Sequence, residues 1–423
     1  MENPPEPVIL LAAHLGYDVG RARWDRVKNS TRQSDEEEGI LLSNLGEPQV
    51  LFVADGDFKQ GYWTSLAFTR DSKKLIGTLE RTPGSVTRFL LGQRVGEVRS
   101  FDLTAVNKRK RGNDNSKSTL LMTARNIHHN ILATPSGVSR EPLLLARWDA
   151  RFQKIEVVAL RGPKESVRRR FPIPRSDQIT PHTDSSICVT LTPRAKMLVL
   201  GTSCTEWKDR GRAATQWGDV KGWDLRTGKP RFEDSREGSR VLAVACSADG
   251  KLIAAAGGHF EERPFRQTRY EGRVVCWKGG FEKKHFDVSL PNHQVHCLAF
   301  SPDNNTLVIG GLDGTVKWID VKDGTVTKSL EVASRSGKSR GRIECLAFSP
   351  DGKLLAVGTG SWNRGNKWGM TFLIDVRQGT ITKVPSSQEN HVITCVAFAP
   401  DGKYLATGGM EGILKLWQIT PGK

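Results

Sequence analysis

The sequence predicts an all-β protein built from repeated four-stranded units. Its last third contains one pattern three times, with Phe300, Phe348 and Phe398 at the same place in each copy, about 50 residues apart. Each copy begins with an apolar run, which is typical of a strand buried on both faces. A turn such as Pro350-Asp351-Gly352 follows, in which Pro fixes φ and Gly accepts a positive φ.

Three further runs complete each unit. In the first copy a second strand follows the turn, a third is predicted at residues 314–321, and a fourth at 326–330 leads towards the next copy. Alternating short runs and turn residues of this kind predict four antiparallel strands per unit.

The pattern resembles the WD40 repeat, whose four-stranded sheets are the blades of a β-propeller. The Trp-Asp pair that names this family occurs at Trp148-Asp149 and Trp223-Asp224, which we assign to third strands. The resemblance implies a seven-bladed WD40-type β-propeller, with the third strand of the second blade at 143–150. The four upstream inner strands are then expected near residues 63–68, 120–123, 186–193 and 241–247.

The N-terminal segment, residues 1–60, is expected to close the ring of blades formed by residues 61–423, in one propeller domain. Either 39–45 or 49–54 supplies the outer strand of the last blade, which removes an unpaired sheet edge. Residues 28–38 form a polar loop. Alternatively, residues 11–27 belong to a partial eighth blade, and the chain is part of a longer repeat protein.

The chain is strongly basic. It has 63 Lys and Arg against 46 Asp and Glu, a net charge of +17, which favours association with anionic partners. No apolar run reaches the roughly 18 residues of a membrane span, so we expect no membrane partner.

The seven cysteines do not predict disulfides. Cys188, Cys297, Cys345 and Cys395 share one position of the repeat, and equivalent positions on different blades lie too far apart to be bridged. Free buried thiols fit a reducing compartment, so we expect a cytoplasmic protein.

No motif for catalysis is present. The sequence lacks the signatures of zinc peptidases, serine hydrolases, phosphate-binding loops and kinases. His128 and His129 lie in a predicted turn with no Cys or carboxylate nearby. We therefore expect a non-enzymatic protein that uses no cofactor and no metal.

The resemblance implies a structural hydrogen-bond tetrad in the last blade, formed by His391, Thr407, Glu411 and Trp417. Glu411 stands where the family usually has Asp. The fifth blade has His293 and Asp313, but its Trp318 comes one position early, so the same chain of hydrogen bonds is not expected to be complete there. Such a buried polar chain stabilises a blade only if every member is satisfied.

The long loops carry the candidate binding residues. In WD40 propellers the connections between second and third strands, and those leading into inner strands, share one face. Arg and aromatic residues are enriched in binding hot spots because they offer large rigid contacts and forked donors. The candidates are Trp207, Arg210, Arg212, Arg263, Arg266, Arg269, Arg340, Trp362, Arg364 and Trp368. The alternative is that these side chains cover their own loops and keep them hydrated.

The resemblance implies a protein-interaction scaffold, and the charge favours a partner with an acidic surface. One alternative is binding of RNA or DNA phosphates by the same face, with strong salt dependence. Another is a regulatory module of a larger protein, because similar irregular WD40 arrays are attached to bacterial protein kinases. The sequence specifies neither the oligomeric state nor a ligand in the central channel.

Overall fold

A computed structural model describes most of the chain from residue 49 to residue 419, and the fold is given for these residues. They are 49–54, 61–81, 95–104, 118–125, 127–133, 143–149, 154–161, 164–172, 183–193, 196–208, 212–263, 267–279, 283–332, 341–361, 368–384, 392–410 and 412–419. No α-helix occurs within these ranges.

The described residues form 28 strands. In chain order these are β1 (Gln49–Ala54), β2 (Gly61–Phe68), β3 (Lys74–Arg81), β4 (Val95–Asp102), β5 (Ser118–Arg125), β6 (Ile127–Ala133), β7 (Leu143–Asp149), β8 (Lys154–Arg161), β9 (Lys164–Pro172), β10 (Thr183–Leu191), β11 (Met197–Lys208), β12 (Arg212–Asp224), β13 (Pro230–Glu237), β14 (Arg240–Cys246), β15 (Leu252–Arg263), β16 (Gln267–Lys278), β17 (Lys284–Pro291), β18 (Val295–Phe300), β19 (Thr306–Gly311), β20 (Thr315–Asp320), β21 (Val326–Glu331), β22 (Arg342–Phe348), β23 (Leu354–Gly360), β24 (Thr371–Asp375), β25 (Ile381–Lys383), β26 (Ile393–Phe398), β27 (Tyr404–Gly409) and β28 (Leu414–Gln418).

The strands pair into four-stranded antiparallel sheets, as the sequence predicts. Six sheets take four consecutive strands each, from β2–β5 to β22–β25, and a further sheet has the order β1-β28-β27-β26. Of the two segments proposed to pair with the last strand, Gln49–Ala54 does so, with Val53 opposite Lys415. The other segment, 39–45, lies outside the described residues.

In four of the described sheets, the turn after the inner strand is fixed by a serine or threonine and an aspartate. Ser349 Oγ donates to Asp351 Oδ1 at 2.6 Å and accepts from the Leu354 N–H at 2.9 Å. Gly352 adopts a φ of 72°, which glycine tolerates without steric cost. The side chains thus replace ladder bonds where the chain reverses, and the second strand starts at a defined residue.

Neighbouring sheets pack face to face. β2 contacts β6, β6 contacts β10, and the series continues through β14, β18 and β22 to β26, which in turn contacts β2. One apolar cluster joins Val274 of β16 to Ile309 of β19, and both side chains are fully buried. Each sheet thus buries its faces against its neighbours, which is how a repeat protein forms a core without a single centre.

The inner strands are also joined through cysteine thiols. Cys297 Sγ lies 3.8 Å from the Gly310 carbonyl of its own sheet and 3.7 Å from the Ile343 carbonyl of the next sheet. All seven cysteines are free. Burial raises the pKa of the Cys395 thiol to about 12, so this thiol stays protonated at neutral pH.

Trp63 joins the first inner strand to the last sheet. Its indole Nε1–H donates to the Gly412 carbonyl at 2.7 Å, and its own carbonyl accepts from Thr394 Oγ1 at 2.6 Å. The side chain is fully buried. These bonds connect residues more than 300 positions apart.

The second sheet differs from the prediction. Residues 120–123, expected as its inner strand, lie in β5, the outer strand of the preceding sheet; the inner strand is Ile127–Ala133. His128 therefore lies in a strand rather than a turn, next to a β-bulge. Trp148-Asp149 ends a second strand, not a third, whereas Trp223-Asp224 ends a third strand as predicted. An apolar run has the same period in an inner and an outer strand, and without a Pro-Asp-Gly turn nothing local distinguishes them.

Candidate functional site

Two hairpins extend well beyond the other second and third strands. β11 and β12 stay paired as far as Lys208 and Arg212, and β15 and β16 as far as Arg263 and Gln267. The pairing of β19 with β20, by contrast, ends at Gly310. The assignment of Trp207, Arg212, Arg263 and Arg269 to loops is therefore wrong, because these four residues lie in strands that continue the ladder.

The extensions persist because their residues pair well across strands. Thr215 Oγ1 donates to Glu206 Oε2 at 2.8 Å, directly across the first hairpin. Ser203, Cys204 and Thr205 beside it are buried. Hydroxyl and β-branched side chains favour a pleated, half-buried strand, and this was the signal in the sequence for a longer ladder.

A buried glutamine joins the two hairpins. The Gln216 side-chain amide of β12 donates to the Phe260 carbonyl of β15 at 2.7 Å and accepts from the Phe260 N–H at 3.2 Å. Gln216 is buried, so both bonds are shielded from water. An amide satisfied on both sides holds the hairpins of neighbouring sheets in one fixed arrangement.

Aromatic and cationic groups pack around this link. The guanidinium of Arg240, at the start of β14, lies 4.7 Å from the centre of the Phe260 ring. The Tyr270 ring lies 6.4 Å from Phe260 on the same hairpin. A guanidinium over an aromatic face is attracted by the ring quadrupole, more strongly when both are desolvated, and Arg240 is only 5% exposed.

Glycines allow the hairpins to start close to the inner strands. A Cβ at Gly218 would lie 2.6 Å from the Val241 nitrogen, and one at Gly272 would overlap the His293 carbonyl oxygen. Any residue other than glycine at either position would place its Cβ in a clash with the neighbouring backbone. The hairpins are therefore held against the starts of the next sheets rather than extending freely.

The structure distinguishes among the candidate binding residues. Arg269 is exposed on the second hairpin, opposite Glu261. Trp368 is only 4% exposed, so its ring packs inside the protein and the alternative of local packing holds there. For Trp207, Arg212 and Arg263 the structure gives strand positions near the hairpin tips only. The candidates outside the described residues are Arg210, Arg266, Arg340, Trp362 and Arg364.

Half of the predicted tetrad lies within the described residues. Trp417 Nε1–H donates to Thr407 Oγ1 at 3.0 Å, and both residues are buried. His391 and Glu411 lie outside the described residues. The Thr–Trp hydrogen bond satisfies an indole N–H in the core of the last sheet.

In the fifth sheet the prediction of an incomplete chain agrees with the geometry. His293 Nδ1 lies 2.8 Å from Asp313 Oδ2, and Asp313 Oδ1 accepts from Thr315 Oγ1 at 2.8 Å. The register places Trp318 opposite Val308, one residue away from the position that Trp417 takes in the last sheet. A shift of one residue moves a side chain to the other face of a strand. The Trp318 indole N–H is buried without a hydrogen-bond partner among the described residues.

Among the described residues, no cluster of three or more His, Cys, Asp or Glu side chains is placed to hold a metal ion. The same part of the chain contains no helix that is long and apolar enough to cross a membrane.

Three segments match the family described as WD domain, G-beta repeat, at residues 285–320, 330–365 and 380–418. No curated protein matches the chain. The matched segments are offset from the sheets, since 285–320 contains most of the outer strand β17 and then β18, β19 and β20. Because each matched segment begins in the outer strand of the preceding sheet, the last matched segment supplies only three strands to the last sheet. β1 is the fourth strand of that sheet.

Proposed function

The chain belongs to the WD40-repeat family, and on this premise we propose that it is a non-enzymatic scaffold that binds an acidic partner protein on its two extended hairpins. WD40 repeats generally support protein–protein interaction. A rigid platform needs no catalytic group, only a surface held in a fixed arrangement.

The proposal includes a closed ring of seven blades. It is supported by the unbroken series of contacts between inner strands, by the contact of β26 with β2, and by the pairing of β1 with β28. The indole hydrogen bond from Trp63 to Gly412 supports the same closure. Closure removes sheet edges and makes the blades a stiff support for the hairpins.

The observation that carries the proposed site is the Gln216–Phe260 link. Surface loops that serve only as connections do not need a buried double hydrogen bond to their neighbours. Here the link fixes two hairpins from adjacent sheets. Binding of a partner would therefore cost little conformational entropy in the hairpins.

The charge of the chain supports an acidic partner. The net charge is +17, and Arg269 is exposed on one of the hairpins. Positive charge around a binding surface raises the association rate with acidic proteins and suppresses binding of basic ones. The same charge favours nucleic acid as the second candidate, with an affinity that falls steeply as salt rises.

The two candidates are separated by affinity capture from native lysate, with and without nuclease, at low and moderate salt. The scaffold predicts a defined protein partner that remains after nuclease treatment. Loss of all captured material with nuclease would assign the face to nucleic acid instead.

Arg269→Glu tests whether the hairpins make the contact, and Arg226→Glu is the matched control. Arg226 is also exposed, but it lies beyond the opposite end of β12. We expect Arg269→Glu to reduce capture strongly and Arg226→Glu to leave it unchanged. Equal capture by both variants would contradict the proposed face.

A reducing location, the cytoplasm, fits the proposed scaffold. The seven free cysteines support it, because several of them occupy the closely packed inner strands. Fractionation of the native cells tests this location.

A further inference from the structure

The turns at the end of the molecule opposite the hairpins carry a cluster of exposed cations. Each sheet has one such turn between its first and second strands and another between its third and fourth strands. In the third sheet, β10–β13, and the fourth, β14–β17, exposed Lys and Arg side chains lie in these turns or directly beside them. We call them the turn patch: Lys196, Arg226, Lys229, Lys251, Lys278 and Lys283.

The two turns of each sheet lie side by side. In the third sheet the Leu225 N–H donates to the Lys196 carbonyl at 2.9 Å. In the fourth sheet the Gly279 N–H donates to the Lys251 carbonyl at 3.2 Å. Each bond joins the turn after the first strand to the turn after the third, so the cations of one sheet share a single surface.

The third and fourth sheets also meet at this end of the molecule. A Cβ on Gly250 would lie 3.1 Å from Pro193 Cδ, so the turn after β14 touches the turn after β10. The turn patch is therefore one continuous surface across two sheets.

Positive charge exceeds negative charge on this surface. Its two described carboxylates accept hydrogen bonds within their own turns: Asp224 from the Thr227 N–H at 2.7 Å, and Asp249 from Ser247 Oγ at 2.7 Å. Lys251 Nζ lies 3.6 Å from Asp249, the one ion pair of the patch among the described residues. Six exposed cations against two carboxylates leave a clear excess of positive charge, which attracts anions.

Two changes of charge sign in the repeat produce the patch. The ladder register places Lys278 where the next two sheets have Asp320 and Asp375. In the sequence, Arg194 takes the place of the Asp that follows Pro in the C-terminal turns. Arg194 and Glu282, which have opposite charges, lie outside the described residues and are not counted in the patch.

The equivalent turns of the fifth and sixth sheets are acidic instead. Their charged residues are three cations, Lys322, Lys353 and Arg377, and five carboxylates, Asp303, Asp320, Asp323, Asp351 and Asp375. The turn patch is thus a local feature of two sheets and not a general property of the repeat.

We propose that the turn patch binds the phosphate backbone of a nucleic-acid duplex. This surface is separate from the hairpins and does not depend on the proposed protein partner. Five of its six cations are lysines, whose compact ammonium groups act as point charges on phosphates. Contacts of this kind neutralise the backbone without reading the bases.

The side chains of the patch favour a duplex over other polyanions. Single strands are commonly held by stacking their bases on aromatic rings, and attachment to a bilayer surface uses apolar side chains beside positive charge. The exposed large hydrophobic residues in the described part of the chain are Leu120 on β5 and Val326 on β21, both outside the patch. The patch thus presents charge alone, which suits a ligand whose outer surface is phosphate.

A labelled DNA duplex of twenty base pairs and mixed sequence is the probe. Fluorescence anisotropy with the full-length protein, from low to moderate salt, measures its affinity. We expect binding at low salt that weakens steeply as salt rises, with equal affinity for a second duplex of unrelated sequence. No binding at low salt, or tighter binding of a single strand than of the duplex, would overturn the proposal.

A double variant and a matched control locate the binding surface. Arg226→Gln with Lys251→Gln neutralises two cations of the patch. Lys322→Gln with Lys353→Gln removes the same charge at the equivalent turn positions of the fifth and sixth sheets. We expect the patch variant to weaken duplex binding about tenfold at low salt, and to lower the slope of log affinity against log salt by about two. The control should bind within about twofold of the unmodified protein, and equal losses in both would contradict the patch.

A charge-conserving variant separates charge from turn shape. Arg226→Lys with Lys251→Arg should bind the duplex like the unmodified protein. A loss as large as that of the glutamine variant would show that the substitutions act through the structure of the turns, and would contradict binding by charge.

Vesicles that contain phosphatidylserine are the competing probe. If the protein binds these vesicles but not the duplex, and the glutamine variant of the patch no longer binds them, the patch serves a membrane surface and the proposal is wrong.

Discussion

At the scale of single residues, one hydroxyl decides whether a buried indole is satisfied. In the last sheet Thr407 accepts from Trp417 Nε1, whereas the Trp318 indole N–H of the fifth sheet has no hydrogen-bond partner among the described residues. Both rings are buried. The two sheets therefore bury the ring in both cases and differ in whether the indole N–H has a hydrogen-bond acceptor.

Thr407→Val should destabilise the protein by about 1–3 kcal/mol, because it keeps the shape and leaves a buried donor unpaired. Urea unfolding measures the change. In a Trp417→Phe background the same substitution should cost much less, since no indole N–H remains. An equal cost in both backgrounds would show that Thr407 acts through packing alone.

The turn serines link stability to pH. The hydrogen bond from Ser301 is the main reason why the pKa of Asp303 lies below its ordinary value of 3.8, and Ser301 Oγ also accepts from the Thr306 N–H at 3.0 Å. A carboxyl whose pKa is lowered by folding contributes stability that is present above its ordinary pKa and is lost as the pH falls through the folded pKa.

Ser301→Ala should therefore lower the free energy of unfolding by about 1 kcal/mol at pH 7 and by less at pH 3. Urea unfolding at both pH values checks this. Ala399 takes the serine position in the last sheet, so Ala399→Ser is the reciprocal variant and should stabilise. A cost for Ser301→Ala that is the same at both pH values would contradict the role given to Asp303.

Residue-level prediction succeeded where the repeat fixes the register. The partnership of Thr407 with Trp417 could be predicted because both lie at defined steps from the turn. The role of Gln216 was missed because it bonds to Phe260, 44 positions away, and a single sequence does not show which strands will be adjacent.

At the scale of elements, the two long hairpins act as one unit through Gln216. Gln216→Leu removes both bonds to Phe260 and leaves a buried N–H and C=O unpaired. We expect a loss of about 2 kcal/mol or more in urea unfolding. We also expect faster backbone hydrogen exchange in both hairpins, because each loses its attachment to the other.

Gln378→Leu is the control, since Gln378 is exposed. It should change neither stability nor exchange appreciably. If Gln216→Leu leaves exchange in the hairpins unchanged, their arrangement is fixed by other contacts and the link is not the organising feature.

The hairpins show why strand extent was harder to predict than strand order. Thr202 to Thr205 and Thr215 to Gln216 combine polar character with β propensity, and polarity was given more weight in predicting loops. Gln216 is buried and bonds to Phe260 of the neighbouring sheet, which the local sequence does not reveal. The third strand predicted at 314–321, in contrast, lies at the correct place, because the turn residues Asp313 and Gly314 mark its start.

At the scale of the whole molecule, one strand from the N-terminal region completes the last sheet. Two truncations that differ only in β1 test its contribution: one begins at residue 49, the other at residue 55. Without β1 the edge of β28 is exposed, so the shorter protein should unfold at lower urea and associate at high concentration.

Unfolding midpoints and light scattering compare the two truncated proteins. Whatever residues 1–48 contribute is absent from both, so the difference isolates β1. Identical midpoints and masses would show that the sheet edge does not need this strand, and would contradict ring closure by β1.

The most direct test of the central claim is hydrogen exchange of the full-length protein with and without its captured partner. The scaffold account predicts slower exchange in residues 212–219 and 259–272, on the two joined hairpins. It predicts no change at the opposite ends of the same sheets, at residues 225–229 and 248–251. Protection at those opposite turns, with none on the hairpins, would contradict the account.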